Sequence, residues 1–456
     1  MKLREDRVKL RGDRPKLRDD RVARTMLGAI AVSSVGVGIH TLAMGQLLYS
    51  RTGSPAAFAL VLTLQGIAAF CVLPVCGPLV DALDSKWVYA LCGLGRAATV
   101  LGIVAIAATA GQGAVPSIMA AAVLLAVFDN AERSALFKLT AHHVNEAHIA
   151  RFNSMIGVAF QAGALTGMAL LGLILTWGTP GQALLVDVAM ALCCALAVSR
   201  MRLTADENNP AFSARMLGTA VAATIGEWRR MLVRYKGDKV VFVMIALCAG
   251  DFVFAHGLST LVVPLAGASA GGQGWYIAAL EATFAVGMIS ASFFTKWLVS
   301  QRLLPLWLLG QAAGAGLLAL GASSAVHFVA FFLAGFANLN SLTWLLTSLQ
   351  QRADEGDKGK MASLRLLAIG LGTAALLPVV GRSAEVSLDT GFGSLAVVMA
   401  AFALIGAWVA RTYALRRPTE EEAAGGATDG AGATDGAGAT AGAGATAGAG
   451  AVAAAG

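Results

Sequence analysis

Three charged residues, Asp129, Glu132 and Arg133, lie close together inside a stretch of sequence that is otherwise apolar. If this stretch is helical, Glu132 and Arg133 follow Asp129 by three and four residues, so the three side chains share one face of the helix. An arginine between two carboxylates can help them release or take up a proton when another molecule binds nearby. The same triplet can equally be a static ion pair that lets three charges be buried together.

Isolated polar residues lie in three other apolar stretches. Asp251 can line a cavity or form a structural hydrogen bond. Asn338 and Asn340 can offer hydrogen bonds to a bound molecule, and Trp344 can supply it with an aromatic surface, pack in the protein or face lipid. His40, taken alone, is more typical of a packed histidine than of a functional one.

Other kinds of chemistry find little support. Asp187 and Glu281 are interpreted as structural carboxylates. The histidines of the segment 142–148 (HHVNEAH) lack the i, i+4 pair of a helical zinc site, and the six cysteines lack metal-ligand spacing, so no metal is expected. The chain also has no phosphate-binding loop, nucleophile elbow or nucleotide fingerprint. These observations predict a protein that is not an enzyme and holds no cofactor.

The composition predicts an all-α membrane protein. Hydrophobic residues make up 57% of the chain and charged residues 13%, against about 25% charged in soluble domains. A bilayer core about 30 Å thick needs roughly 20 apolar residues per helix. That length predicts twelve transmembrane helices, approximately at 25–49, 55–80, 87–109, 116–139, 153–177, 181–199, 240–264, 274–295, 303–322, 325–349, 361–381 and 392–411.

The positive charges predict the orientation of these helices. With the N-terminus inside, 30 of the 34 Lys and Arg residues fall on the cytoplasmic side. Arg51 and Arg382 fall outside, while Arg96 and Arg133 fall within helices. This asymmetry is typical of a cell-membrane protein with both termini in the cytoplasm. Most of the net charge of +7 lies in the first 24 residues, which argues against a nucleic-acid partner.

The polar stretches divide the chain into five segments. They are a basic N-terminal segment (1–24), a first six-helix bundle (25–199), a central cytoplasmic loop (200–239), a second six-helix bundle (240–411) and a disordered Ala/Gly-rich tail (412–456). A shift of 210 positions places Gly77, Lys86, Trp87 and Asn130 on Gly287, Lys296, Trp297 and Asn340. We therefore expect two six-helix pseudo-repeats, as in a duplicated transporter.

The loop after the second predicted helix, Gly77-Pro-Leu-Val-Asp81-Ala-Leu-Asp84-Ser85-Lys86, resembles the signature loop of the major facilitator superfamily. In that family the loop latches the two halves together on the cytoplasmic side. The resemblance implies that Gly77, Asp81 and Lys86 act in a cytoplasmic gate. Asp84 and Ser85 stand where the family usually has Gly and often has Arg.

Other segments resemble the drug, macrolide and siderophore exporters of that superfamily. They are Arg96 in the third predicted helix, the segment 151–154 (RFNS) and the segment 357–363 (DKGKMAS). The resemblance places Arg96 in the cytoplasmic gate as well. It also implies the major facilitator fold and the export direction.

Together these observations predict a monomeric transporter that exports an amphipathic small molecule in exchange for protons, by alternating access. The candidate cargo or coupling residues are Asp129, Glu132, Arg133, Asp251, His40, Asn338, Asn340 and Trp344. Two alternatives stay open. One is an importer or lipid flippase of the same fold, and the other is a membrane scaffold or sensor that transports nothing.

Overall fold

The computed structural model describes residues 21–109, 114–143, 146–201, 214–271, 274–321, 323–353 and 358–415. These residues form α-helices that we number α1 to α14. The helices are α1 (Arg21–Thr52), α2 (Pro55–Asp81), α3 (Ser85–Thr109), α4 (Ala114–His143), α5 (Glu146–Ile174), α6 (Pro180–Ser199), α7 (Ala214–Arg234), α8 (Lys239–Ala270), α9 (Gly274–Phe293), α10 (Thr295–Leu298), α11 (Leu304–Ala319), α12 (Ser324–Arg352), α13 (Lys358–Val386) and α14 (Leu388–Leu415).

Ten of the helices in the described ranges are long and apolar enough to cross a membrane. Two more, α5 and α11, contain shorter apolar stretches, at Ala162–Ile174 and Leu304–Ala319. Each predicted span overlaps one of these twelve long helices. The protein is therefore a multi-pass integral membrane protein. The predicted basic segment and tail lie outside the described residues, apart from the ends of α1 and α14.

Local sequence signals begin and end several helices. Thr179 and Gln182 form a capping box at the start of α6, where Thr179 Oγ1 accepts from the Gln182 N–H at 3.3 Å. Asp238 caps α8 by accepting from the Val240 N–H at 3.2 Å. Gly271 ends α8 with a positive φ of 61°, a conformation that other residues seldom adopt.

Small residues bring the helices into close contact. On α1, Gly38 lies against the carbonyl group of Ala164, and on α5, Gly163 and Gly167 lie against Ser34 and Val35. A side chain at any of these three glycines would meet the neighbouring helix. Backbones can approach this closely in a membrane only through small residues, so α1 and α5 have a defined rotation relative to each other.

Two pairs of helices make the largest contacts between the N-terminal helices (α1–α6) and the C-terminal helices (α8, α9 and α11–α14). Helix α2 packs on α13, and α5 packs on α9. A Cβ atom on Gly66 would lie 2.9 Å from the carbonyl oxygen of Gly370. Near the other end of these helices, Gly172 lies against Ala278, and Ser54 donates a hydrogen bond to Glu385.

We call the side of the bundle where α1 begins the N-terminal face and the other side the distal face. The contacts just described lie at mid-depth or near the distal face. Helix α7 also connects the two helix groups, because it contacts both α2 and α13.

Helix α7 lies within residues 200–239, for which the sequence predicts only a polar loop. Its apolar residues recur at helical spacing among arginines; they are Val221, Ile225, Trp228 and Leu232. The mean hydropathy of this segment is therefore low, although one face of the helix is apolar. Met231 is buried, and Glu227 Oε2 lies 3.4 Å from Lys360 Nζ of α13.

Candidate functional site

Arg96 is the centre of a polar cluster inside the N-terminal helices. Its guanidinium lies 3.2 Å from Glu132, 3.7 Å from Asp129 and 3.6 Å from Asp187. Ser33 accepts a hydrogen bond from Arg96 at 2.9 Å and donates one to Glu132 at 3.0 Å. These side chains come from α1, α3, α4 and α6, so the cluster ties four helices together.

His40 extends this cluster on the side of α1. Its Nδ1 lies 3.1 Å from Asp187 Oδ2, and its Nε2 lies 3.9 Å from Asp129 Oδ2. Gly36, one turn earlier on α1, leaves the space that the Asp187 carboxylate occupies, because a Cβ there would meet Asp187 Oδ1. His40, which the sequence favours as a packing residue, thus lies between Asp187, interpreted as a structural carboxylate, and the coupling candidate Asp129.

The cluster contains more carboxylates than cations. Asp129, Glu132 and Asp187 face one guanidinium and one imidazole. With His40 neutral the sum of three negative charges and one positive charge is −2, and with His40 protonated it is −1. An excess charge costs free energy at this depth, so the cluster favours a bound proton or another cation.

Arg133 is not the partner that the sequence suggests for Asp129 and Glu132. Its guanidinium lies over the ring of Phe160, 4.8 Å from the centroid, and its side chain is exposed. Glu132 and Arg133 are consecutive residues, which project about 100° apart on a helix, and they therefore contact different neighbours. The cation between the carboxylates is Arg96, which the resemblance assigned to the cytoplasmic gate.

A small cavity adjoins this cluster. Its volume is about 20 Å³, enough for one water molecule. Tyr89, Arg96, Asp129, Glu132, Arg133 and Phe160 line it together with Ile30, Ser33, Val37 and Leu136. The cavity therefore combines carboxylates, aromatic rings and apolar walls.

A second polar cluster surrounds Asp251 in the C-terminal helices. Gln311 Nε2 lies 2.7 Å and Ser341 Oγ 2.8 Å from Asp251 Oδ1. Asn338 Nδ2 donates to the Asp251 backbone carbonyl at 3.3 Å. Asp251 Oδ2 is buried without a hydrogen-bond partner, and no cation in the described part of the chain forms an ion pair with this carboxylate. Asp251 is therefore a candidate site for a proton or an incoming cation.

Three other polar or aromatic residues that the sequence singles out lie in the C-terminal helices. Asn340 donates to the Phe336 carbonyl of its own helix at 2.9 Å, and its Oδ1 is buried without a partner. Trp344 is buried within the apolar core of the bundle. Glu281 is buried on α9.

The buried atoms that lack a partner are mostly acceptors. Within the described residues they include five carbonyl or carboxylate oxygens, on Gln46, Asp129, Asp187, Asp251 and Asn340. Arg96 Nε is a hydrogen-bond donor that is likewise buried without a partner. The remaining unpaired atoms, on Thr63, Thr373 and His256, can act as donors or acceptors. Among the buried atoms without a partner in the described residues, acceptors therefore predominate.

The gate predicted from the signature loop is described in part. The surroundings of Gly77 and of the Asp81 side chain lie outside what the structure describes. Lys86 Nζ donates to the Met201 carbonyl at 2.8 Å. Lys138 of α4, which sequence reasoning left out of the gate, donates to the carbonyls of Val80 and Leu83 at 3.1 and 3.0 Å and so caps the end of α2.

Sequence reasoning also missed Gln311, Ser341 and Ser33. Gln311 carried a usable signal, because it is an amide in the otherwise apolar helix α11. Serines are common in membrane helices and often bond to their own backbone, so Ser33 and Ser341 carried no comparable signal.

A bundle of long apolar helices with charged groups buried at mid-depth defines a polytopic membrane protein with a polar interior. The family model of the Major Facilitator Superfamily matches residues 26–377. The chain belongs to the major facilitator superfamily.

The fold is similar to those of several solved transporter structures. The POT family transporter PepTSo is 12% identical with a TM-score of 0.68, over 87% of this chain and 99% of that chain. The nucleoside transporter NupG is 14% identical with a TM-score of 0.62, over 87% and 100%. A D-xylose-proton symporter is 12% identical with a TM-score of 0.64, over 85% and 96%. No curated protein sequence matches the chain.

Proposed function

We propose that this protein is a proton-coupled secondary transporter that carries an organic small molecule across the cell membrane by alternating access. The observation that carries the proposal is the excess of buried carboxylates around Arg96. Asp129, Glu132 and Asp187 share this single guanidinium and His40. A cluster short of positive charge can hold a proton in one state and give it up when another cation arrives.

The packing of the helices supports two six-helix halves. In the N-terminal helices, α1 packs on α5 and α6, α2 packs on α4, and α3 packs on α4 and α6. In the C-terminal helices, α8 packs on α13 and α14, α9 packs on α12, and α11 packs on α12 and α14. Each pair in one half has a counterpart at the same place in the other half, as expected for a duplicated transporter.

The contacts between the halves support alternating access. Gly66 and Gly370 meet at mid-depth, and Gly172 meets Ala278 near the distal face. Arg133 lies about 15 Å along the helix from the C-terminal end of α4, which is well inside the membrane-spanning region, and its side chain is exposed. An arginine facing lipid at that depth is costly, so its exposed surface indicates a wet cavity between the halves. This arrangement fits a state that is closed at the distal face and open at the N-terminal face.

Two different sets of observations bear on the direction of transport, and they favour export and uptake respectively. The excess of cations at the N-terminal face supports a cytoplasmic location for that face, and the resemblance to drug, macrolide and siderophore exporters supports export. The likeness to a D-xylose-proton symporter favours a second candidate, uptake by symport with protons.

The proposal is tested by measuring proton movement in vesicles that contain the purified protein in a known orientation. A panel of lipophilic cations, macrolides and iron chelators is added, and a trapped pH indicator reports the flux. We expect at least one compound to drive proton movement in the wild type, and Asp129→Asn and Asp251→Asn each to reduce it. Arg382→Gln, an exposed change near the distal face, is the matched control.

The sign of the flux separates export from symport. A compound that leaves the vesicle while protons enter identifies an antiporter, and movement in the same direction identifies a symporter. Passage of labelled compounds with no proton movement would refute the coupling. Equal fluxes in wild type and both carboxylate variants would remove Asp129 and Asp251 from the mechanism.

A further inference from the structure

The cavity beside Asp129 has the composition of a site for an organic cation. The carboxylates of Asp129 and Glu132 and the aromatic residues Tyr89 and Phe160 line it, together with Arg96. Aromatic faces attract cations, and carboxylates supply the opposite charge. Ammonium and guanidinium groups are recognised by this combination of side chains.

The protein already places one of its own cations in this cavity. The guanidinium of Arg133 lies 4.8 Å from the centroid of the Phe160 ring and forms part of the cavity lining. Arg133 forms no ion pair with a described carboxylate, and its side chain is exposed, so little else in the described chain holds it in place. It can therefore move aside when another cation takes its position.

Asp129 has an unused acceptor at the same place. Its Oδ1 is buried without a hydrogen-bond partner and lies 3.7 Å from Arg96, beyond the length of a hydrogen bond, so this oxygen becomes available to a cargo when the side chains around it move. The Asp129 side chain keeps 19% of its surface exposed, whereas Asp187 is fully buried. Of the three carboxylates around Arg96, Asp129 is thus the most accessible to a cargo.

We propose that this cavity binds the positively charged group of an amphipathic organic cation, an amine, amidine or guanidine, and that Arg133 occupies the site until the cargo displaces it. Asp129 is the counter-charge and Phe160 the aromatic partner. The cavity holds about one water molecule while Arg133 lines it, so the cargo takes the space that Arg133 vacates. Ile30, Val37 and Leu136 are the apolar residues beside its hydrocarbon part. This inference rests on the proposed transport function and adds the class of cargo to it.

The test compares three probes of nearly identical shape but different charge. They are 4-butylbenzamidinium (cationic), 4-butylbenzamide (neutral) and 4-butylbenzoate (anionic). Binding of radiolabelled 4-butylbenzamidinium to the purified full-length protein in detergent is measured at equilibrium, and the unlabelled probes compete with it. We expect the cation to bind at least about tenfold more tightly than the neutral and anionic probes, since it alone pairs with Asp129.

Variants of the two contact residues locate the site. Arg133→Gln removes the tethered competitor and should raise the affinity for the cation about fivefold, the size of one cation–π contact. Adding Phe160→Leu to Arg133→Gln should lower the affinity again by a similar factor. Asp129→Asn should lower it at least about tenfold. Arg382→Gln, which removes an exposed arginine elsewhere, should leave it unchanged.

Three results would overturn the proposal. They are the absence of cation binding by the wild type, tighter binding of 4-butylbenzoate than of the cation, and a loss of affinity in Arg133→Gln. Tighter binding of 4-butylbenzoate would make Arg133 a ligand for an anionic cargo, and a loss of cation affinity in Arg133→Gln would show that Arg133 does not compete with the cation. Because the assay is an equilibrium measurement without a proton gradient, its outcome is independent of proton coupling. Cation binding without proton flux would retain this site and reject only the coupling.

Discussion

Arg96 of α3 reaches across the N-terminal helices to Asp187 of α6, and its Nη2 lies 3.6 Å from Asp187 Oδ1 in a place where both side chains are almost completely buried. Asp187 in turn contacts His40 of α1 at 3.1 Å. The two contacts join three helices through charged groups that are costly to bury singly. The same residues therefore stabilise the fold and form the core of the candidate proton site.

Loss of the Arg96 charge should destabilise the protein strongly. Arg96→Gln leaves Asp129, Glu132 and Asp187 without their cation, and breaking a buried ion pair from one side costs about 3–5 kcal/mol. Thermal unfolding in detergent should show a much lower Tm. Adding Asp187→Asn should recover part of the loss because it removes one of the uncompensated charges. An unchanged Tm in Arg96→Gln would show that the carboxylates are neutral or otherwise compensated.

The hydrogen bonds around Asp251 predict different outcomes for two substitutions. Asp251→Asn retains an oxygen that can accept from Gln311 and Ser341, so the Tm should stay close to that of the wild type. Asp251→Leu removes the acceptor that both donors share. Gln311 then keeps only Ser341 Oγ at 2.8 Å and Ser341 only the Asn338 carbonyl at 3.0 Å, so loss of the two buried hydrogen bonds should cost about 1–3 kcal/mol in total. Thermal unfolding of both variants checks this. Equal stability of the Asn and Leu variants would contradict the arrangement around Asp251.

The close approach of α2 and α13 predicts a specific sensitivity to side-chain size. Gly66→Val should force the two helices apart, since even a Cβ there would lie 2.9 Å from the Gly370 carbonyl oxygen. Such overpacking costs about 1–3 kcal/mol. Gly102→Val on α3 is the matched control, because no other atom lies within 4 Å of a Cβ at that position. The comparison of their Tm values isolates the contact between the halves from the effect of valine on helix formation.

The orientation of the chain predicts which surface residues a membrane-impermeant maleimide reaches in intact cells. In a background without the six native cysteines, Arg382→Cys should be labelled from outside, because it lies near the distal face. Lys236→Cys, after α7, should be labelled only once the membrane is permeabilised. Labelling in the reverse pattern would invert the orientation and, with it, the proposed cytoplasmic side.

Much of the architecture was predictable because membrane helices obey a simple length rule. A run of roughly 20 apolar residues indicates a transmembrane helix without any knowledge of the helices that pack against it. Each predicted span overlaps a long helix. The length rule missed helix α7, because arginines are interspersed among its apolar residues. The helix can be recognised from the periodic spacing of those apolar residues but not from the mean hydropathy of the segment.

The candidate site was predictable in its depth and in its residue types. Asp129, Glu132, Asp251 and Asn338 are ionisable or amide groups in apolar segments, and burial makes such groups rare unless they have partners. The sequence alone thus determined which helices carry polar groups, their position along each helix and the excess of positive charge at one face.

Only the tertiary structure decided which polar groups meet. Residues at the same depth contact each other only if their helices are rotated to bring them together, and that rotation is set by packing through small residues distant in sequence. Gly36 leaves room for the Asp187 carboxylate, and this places Asp187 beside His40 and Arg96. The same packing directs Arg133 to Phe160 rather than to its neighbours Asp129 and Glu132. Spacing along one helix cannot specify these pairings, because the partners belong to other helices.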